Sequence, residues 1–157
     1  MREHLRAALG GAAAGALATI PMSAVMLAAE KAGLMGKQPP ELVAEKGFAV
    51  AGAQPSEPVK KATAVAVHFG FGAVAGALFG LLSRRNTSDG SPIARGIGYG
   101  LAVYTASYAG WIPAAGIMPA PPDDRPGRQP SLIAAHVVFG AVLAALIDVL
   151  IPEKPLV

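Results

Sequence analysis

Charge is missing from four long stretches of this chain, and that pattern sets the first expectation. No Asp, Glu, Lys or Arg occurs in residues 7–29, 62–83, 96–122 or 129–147, runs of 23, 22, 27 and 19 positions. A helix crossing the hydrocarbon core of a bilayer needs roughly 20 apolar residues. Each run has charge at its ends: Arg6 and Glu30, Lys61 and Arg84, Arg95 and Asp123, Arg128 and Asp148. The pattern predicts four transmembrane helices, over about residues 5–33, 61–83, 94–117 and 131–151. The third is expected to stop near Ile117, because Met118-Pro119-Ala120-Pro121-Pro122 follows and proline both breaks a helix and restrains the residue before it. A soluble helical bundle would need a polar face on each helix, and none of the runs has one. A cleaved signal peptide is disfavoured because the first run is too long for a typical apolar region and contains Pro21.

The runs are related in pairs. Of the fifteen residues 68–82, eight are identical to their counterparts in 136–150, including the leading His68 and His136 and the segments Phe71-Gly72-Ala73-Val74 and Phe139-Gly140-Ala141-Val142. Upstream, Gly33-Leu34-Met35 before Pro39-Pro40 matches Gly116-Ile117-Met118 before Pro121-Pro122. A unit of two spans returns the chain to its starting side, so two such units are parallel about an axis along the membrane normal. The expected architecture is an all-α integral-membrane four-helix bundle, one transmembrane domain over 1–157, built from two parallel two-helix repeats over about residues 5–83 and 94–151. His68 and His136 lie seven and eight residues beyond Lys61 and Arg128, which puts both roughly 10–12 Å inside their helix starts.

Small residues recur every four positions, which places them on one helix face. Gly11, Gly15, Thr19 and Ser23 form one stripe; Gly72, Gly76 and Gly80 follow His68; Gly140, Ala144 and Asp148 follow His136; Gly96 and Gly100 open the third helix. Such stripes let membrane helices approach closely where lipid gives no hydrophobic drive for association. Both histidines are therefore expected to face protein. Pro21 should free a backbone carbonyl that Thr19 and Ser23 are placed to satisfy.

Ionisable residues within spans are costly and are candidates for function. One reading of the histidine pair is a bis-histidine haem b site between the second and fourth helices. The plainer reading is hydrogen bonding to Thr105, Ser107 or Tyr108. A proton relay would add Glu30 and Asp148 to the pair. Tyr99 and Trp111 are expected as interfacial anchors, with Tyr104 and Tyr108 inside the bundle. Between the first two spans, Pro39-Pro40-Glu41 before a helix-forming stretch predicts a short interfacial helix. Between the last two, five prolines around Asp123 and Asp124 predict a stiff extended cap, its acidic turn solvated.

Composition narrows the chemistry. The chain is 53% hydrophobic and 15% charged, with a net charge of +3 and no cysteine. Disulfides, thiolate nucleophiles and cysteine-bound metals are thus excluded. The basic residues stand singly or in pairs, which disfavours nucleic acid as a partner. No catalytic motif, metal cluster or phosphate loop is present, and no cofactor is expected unless haem b. Orientation is balanced by raw count, with Arg2, Arg6, Arg84, Arg85, Arg95 and Lys154 on the side of the termini and seven Lys and Arg opposite. The arginine-dense second loop favours cytoplasmic termini.

Four spans, a His-led Gly-rich second helix, the Gly-Leu-Met to Pro-Pro element and a second His in the last helix together resemble the YagU-like family of bacterial inner-membrane proteins. The resemblance implies a small multi-pass inner-membrane protein with no established enzymatic activity, linked in one branch to acid tolerance. The expected role is non-enzymatic: an accessory subunit of a larger membrane complex, or a stress-tolerance protein, with the bilayer and further membrane proteins or copies of itself as partners. Haem-based electron transfer, and proton or small-solute transport by an oligomer, are the alternatives.

Overall fold

A computed structural model describes residues 1–83 and 91–150. The loop-two arginines Arg84 and Arg85, and the expected helix end at residue 151, lie outside those residues. All regular structure among the described residues is helical: α1 (Arg2–Lys31), α2 (Pro39–Val50), α3 (Glu57–Ser83), α4 (Pro92–Ala106), a π turn (Ser107–Trp111), the single-turn α5 (Ile112–Ala114), a 3-10 turn (Pro121–Asp123) and α6 (Arg128–Leu150). Three of these, α1, α3 and α6, are long and apolar enough to cross a membrane.

The helices overrun the charge-free stretches at their starts, at Arg2, Glu57 and Arg128: the Glu57 side chain is exposed and pairs with Lys60, and that of Arg128 is buried against protein. Pro21 does not interrupt α1. Thr19 and Ser23 were expected to satisfy the carbonyl that the proline leaves free, but Thr19 Oγ1 donates to Gly15 O at 2.8 Å and Ser23 Oγ to Thr19 O at 2.7 Å, so neither hydroxyl serves it. The helix expected over 94–117 is α4, the π turn and α5 in direct succession, ending at Ala114.

Helix α1 packs on α3 and α6, α4 packs on α6, and α2 packs on α3. Glycines set the distance at two of these seams. A methyl placed on Gly15 would strike the Gly72 carbonyl and the Gly76 backbone, and one on Gly11 the Gly76 carbonyl; Gly80 faces Ala7 O. In the other seam, Gly96 faces Gly140 O and the Ala144 methyl, and Gly100 faces His136 O. Backbone meets backbone in both, as small-residue seams allow. Each seam pairs antiparallel helices.

Helices α1 and α5 end alike. Gly33 N donates to Glu30 O and Leu34 N to Ala29 O, each at 2.9 Å; Gly116 N donates to Pro113 O at 2.9 Å and Ile117 N to Ile112 O at 3.1 Å. Both glycines have positive φ, 75° and 62°, the left-handed cap that glycine adopts without strain. Helix α2 ends in the same cap at Gly52, so the cap alone is common; the two turns further share a buried methionine, Met35 and Met118, two residues on. From seam glycine to cap glycine the chain runs 18 residues from Gly15 to Gly33, but 20 from Gly96 to Gly116. The π turn lies within that longer stretch, and such turns take up extra residues inside a helix.

Candidate functional site

Neither glycine seam joins α3 to α4. Helix α3 rests on α1 and α4 on α6, while backbone contact between α3 and α4 is sparse. Tyr99 spans the gap at one level, donating from its hydroxyl to Ala75 O at 2.6 Å and stacking on Phe79 with ring centroids 4.9 Å apart. Beyond Tyr99, towards the ends of the helices that carry α2, the gap widens into a cleft of about 310 Å³. Val67, His68, Gly70, Phe71 and Val74 of α3 form one wall. Ser107, Tyr108, Trp111 and Ile112 form the other. Met22 and Met26 of α1 and Leu132 and His136 of α6 make the floor, and Pro39, Pro40 and Val43 of α2 close the end. The side between the walls is open, and Phe71, Val74 and Trp111 are 42%, 61% and 42% exposed.

Local sequence explains each wall. The lack of a side chain at Gly70 leaves space there, since a methyl at that position would meet nothing within 4 Å. Helix α2 begins at Pro39, whose fixed φ suits a first helical position, and Glu41 accepts from the Gln38 backbone N–H at 3.3 Å. Gln38 also donates from its side chain to Glu30 at the end of α1. Lys37 pairs with Glu45 of α2, and that carboxylate raises the lysine pKa.

The two histidines share the cleft but not the same surroundings. His136 is buried, its Nδ1 2.8 Å from Leu132 O on its own helix, with the Tyr104 ring edge-on at 5.5 Å. His68 is partly exposed, and its Nε2 is shut off from water with no hydrogen-bond partner. The groups expected to partner the histidines are engaged elsewhere: Thr105 Oγ1 donates to Leu101 O at 2.9 Å, Ser107 Oγ to Val103 O at 2.7 Å, and Tyr108 Oη to Asp124 Oδ2 at 2.9 Å. Glu30 and Asp148 do not join them. Glu30 lies at the α2 end of α1, and Asp148 is exposed near the far end of α6, twelve residues beyond His136, or about 18 Å along the helix. A relay through both acids has no continuous path in this arrangement.

A polar cluster that sequence reasoning missed anchors the cleft wall. Asp124, expected to be a solvated acid, is buried in an ion pair with Arg128, whose Nη1 is 2.9 Å from Oδ1 and 3.0 Å from Oδ2. Arg128 Nε donates to Met35 O at 2.8 Å and Nη2 to Lys37 O at 3.3 Å. Gly127 lies against the Leu34 backbone. The turn after α1 is thereby fastened to the start of α6, and Tyr108 is held through Asp124. The i, i+4 spacing of Asp124 and Arg128 was the available signal; the prolines around it suggested an extended segment instead.

Among the described residues these features define an all-helical protein with three helices long and apolar enough to cross a membrane and an open apolar cleft. The chain belongs to DUF6789, a family of unknown function whose model matches residues 5–156. No curated protein and no solved structure matches it. The family match carries no tie to the YagU-like proteins.

Proposed function

We propose that this is a non-enzymatic membrane protein of four crossings, built as two parallel two-helix repeats, whose cleft takes an apolar molecule from the lipid phase. The cleft between α3 and the π turn with α5 carries the reading. It is walled almost wholly by apolar side chains, lies between spans and opens sideways; sites of this kind admit ligands that partition into the bilayer, with a few polar groups fixing orientation.

The fourth crossing is the succession from Pro92 to Ala114, 23 residues with Arg95 as its one charge, or about 34 Å of helix against a hydrocarbon core of about 30 Å. The repeat reading draws support from the matching seams, with Gly15 on Gly72 and Gly76 and Gly96 on Gly140 and Ala144, and from the matching Gly33 and Gly116 turns. The arginine-dense second loop supports a reading with both termini in the cytoplasm, and the resemblance to the YagU-like family supports the inner membrane. Stress tolerance is the setting that the sequence resemblance to YagU-like proteins implies, and a larger membrane complex or further copies of the chain are the protein partners in this reading.

The test is co-purification. Native mass spectrometry of the protein released from lipid nanodiscs should show one retained lipophilic molecule per chain, lost in Gly70→Leu, which adds a side chain at a lining position where a Cβ meets nothing within 4 Å. Identical lipid complements in the two proteins would contradict the reading. A second reading, haem b, is favoured by one observation: both imidazoles line the same cleft, and His136 Nδ1 is already held by a carbonyl, as in histidines oriented for ligation. Oxidised and reduced absorption spectra of the protein and of His68→Ala and His136→Ala decide it. A Soret band lost in either variant supports haem, and colourless protein from haem-replete cells removes it.

A further inference from the structure

We infer that the cleft's ligand is of the quinone class, a flat carbonyl-bearing ring on an apolar tail, seated with a ring carbonyl accepting from the His68 imidazole. This inference rests on reading the cleft as a site for a lipophile, and it turns on one atom. Ser107 and Tyr108 spend their hydroxyl protons on Val103 O and Asp124, and His136 Nδ1 is taken by Leu132 O. His68 Nε2 has no partner and no access to water. An unpaired polar atom in an apolar surround costs free energy that a bound partner would recover. Of the two buried side-chain polar atoms without a partner among the described residues, His68 Nε2 and Tyr104 Oη, only the first belongs to a cleft residue, and a ligand in the cleft meets it when the imidazole ring turns towards the opening.

Depth selects the ligand's chemistry. His68 lies seven residues beyond Lys61, roughly 10 Å below the charged end of its helix. A phospholipid keeps its polar atoms among the headgroups and presents only methylenes at that depth. A quinone carries carbonyl oxygens into the hydrocarbon region. Its ring has a flat apolar face, and Phe71 on one wall and Trp111 on the other offer aromatic surfaces for such a ring. The open side lets the tail extend into lipid, so the cleft has to hold only the head. A neutral imidazole with its proton on Nε2 donates one hydrogen bond, which matches one carbonyl.

The chain's single tryptophan, Trp111, lies on the cleft wall and supplies the readout, since quinones quench indole fluorescence. The full-length protein in nanodiscs is titrated with a short-tailed ubiquinone and, separately, with a brominated fatty acid; retained helical circular dichroism serves as the folding check on each variant. The expected result is saturable, equimolar quenching by the quinone that is abolished in Gly70→Leu, weakened about tenfold in His68→Ala and largely restored in His68→Gln, which keeps a donor. Equal saturable quenching in the protein and in His68→Ala would overturn the seat at His68. Non-saturable quinone quenching beside saturable, Gly70→Leu-sensitive quenching by the brominated acid would overturn the quinone class and leave the lipophile site standing. Saturation by neither would end both readings.

Discussion

The α1–α3 seam and the α3–α4 gap use the same helix in opposite ways. Towards α1, α3 presents Gly72, Gly76 and Gly80, and the backbones touch. Towards the π turn and α5 that continue α4 it presents Phe71 and Val74 around Gly70, and a cleft remains. The α4–α6 seam repeats the first arrangement with Gly96, Gly100 and Gly140. Small residues close an interface only when a matching stripe stands opposite; Gly70 faces no such stripe, so its missing side chain becomes space.

The largest break to this contrast should come from the cluster that holds one cleft wall to the α1 turn. Arg128→Met leaves Asp124 buried without its cation and should destabilise the protein by ~3–5 kcal/mol, read by reversible unfolding in mixed micelles. Asp124→Leu combined with Arg128→Met should cost much less, because no unpaired charge is then buried. Next come the seams. Gly15→Ala and Gly100→Ala each force a methyl onto a carbonyl of the facing helix and should cost ~1–3 kcal/mol, with similar losses in the two seams if they are equivalent. Tyr99→Phe removes the hydrogen bond to Ala75 O across the gap and should cost ~1 kcal/mol. The smallest effect is expected of Gly98→Ala: it lies on the same helix as Gly96 and Gly100, but a methyl there meets nothing within 4 Å, so helix propensity alone acts and the variant should gain up to ~1 kcal/mol. A loss at Gly98 comparable to that at Gly100 would show that glycine position along α4 does not decide the packing.

The seams were legible in the sequence because a four-residue period of small side chains has one structural use between membrane helices. Helix α2 was legible from Pro39-Pro40-Glu41, where turn chemistry and propensity agree. The cleft was not, because it arises from what fails to pair: nothing local in residues 67–74 says that α4 stands away from them. The histidines illustrate the same limit. Their shared four-residue stripe with glycines suggested that both face protein, yet His136 is buried beside Tyr104 and His68 borders the opening. Asp124 misled for a different reason. Acidic residues among prolines are most often solvated, and only the arrival of Arg128 from the first turn of α6, with Met35 and Lys37 of the distant α1 turn, buries this one.

The most direct test of the open cleft is a crystal structure grown from a lipidic mesophase doped with a brominated acyl chain, read by anomalous scattering. The account predicts a bromine peak between α3 and the π turn that continues α4, near Phe71 and Trp111, and none along the α1–α3 or α4–α6 seams. Helices α3 and α4 packed against each other, with no peak between them, would contradict it.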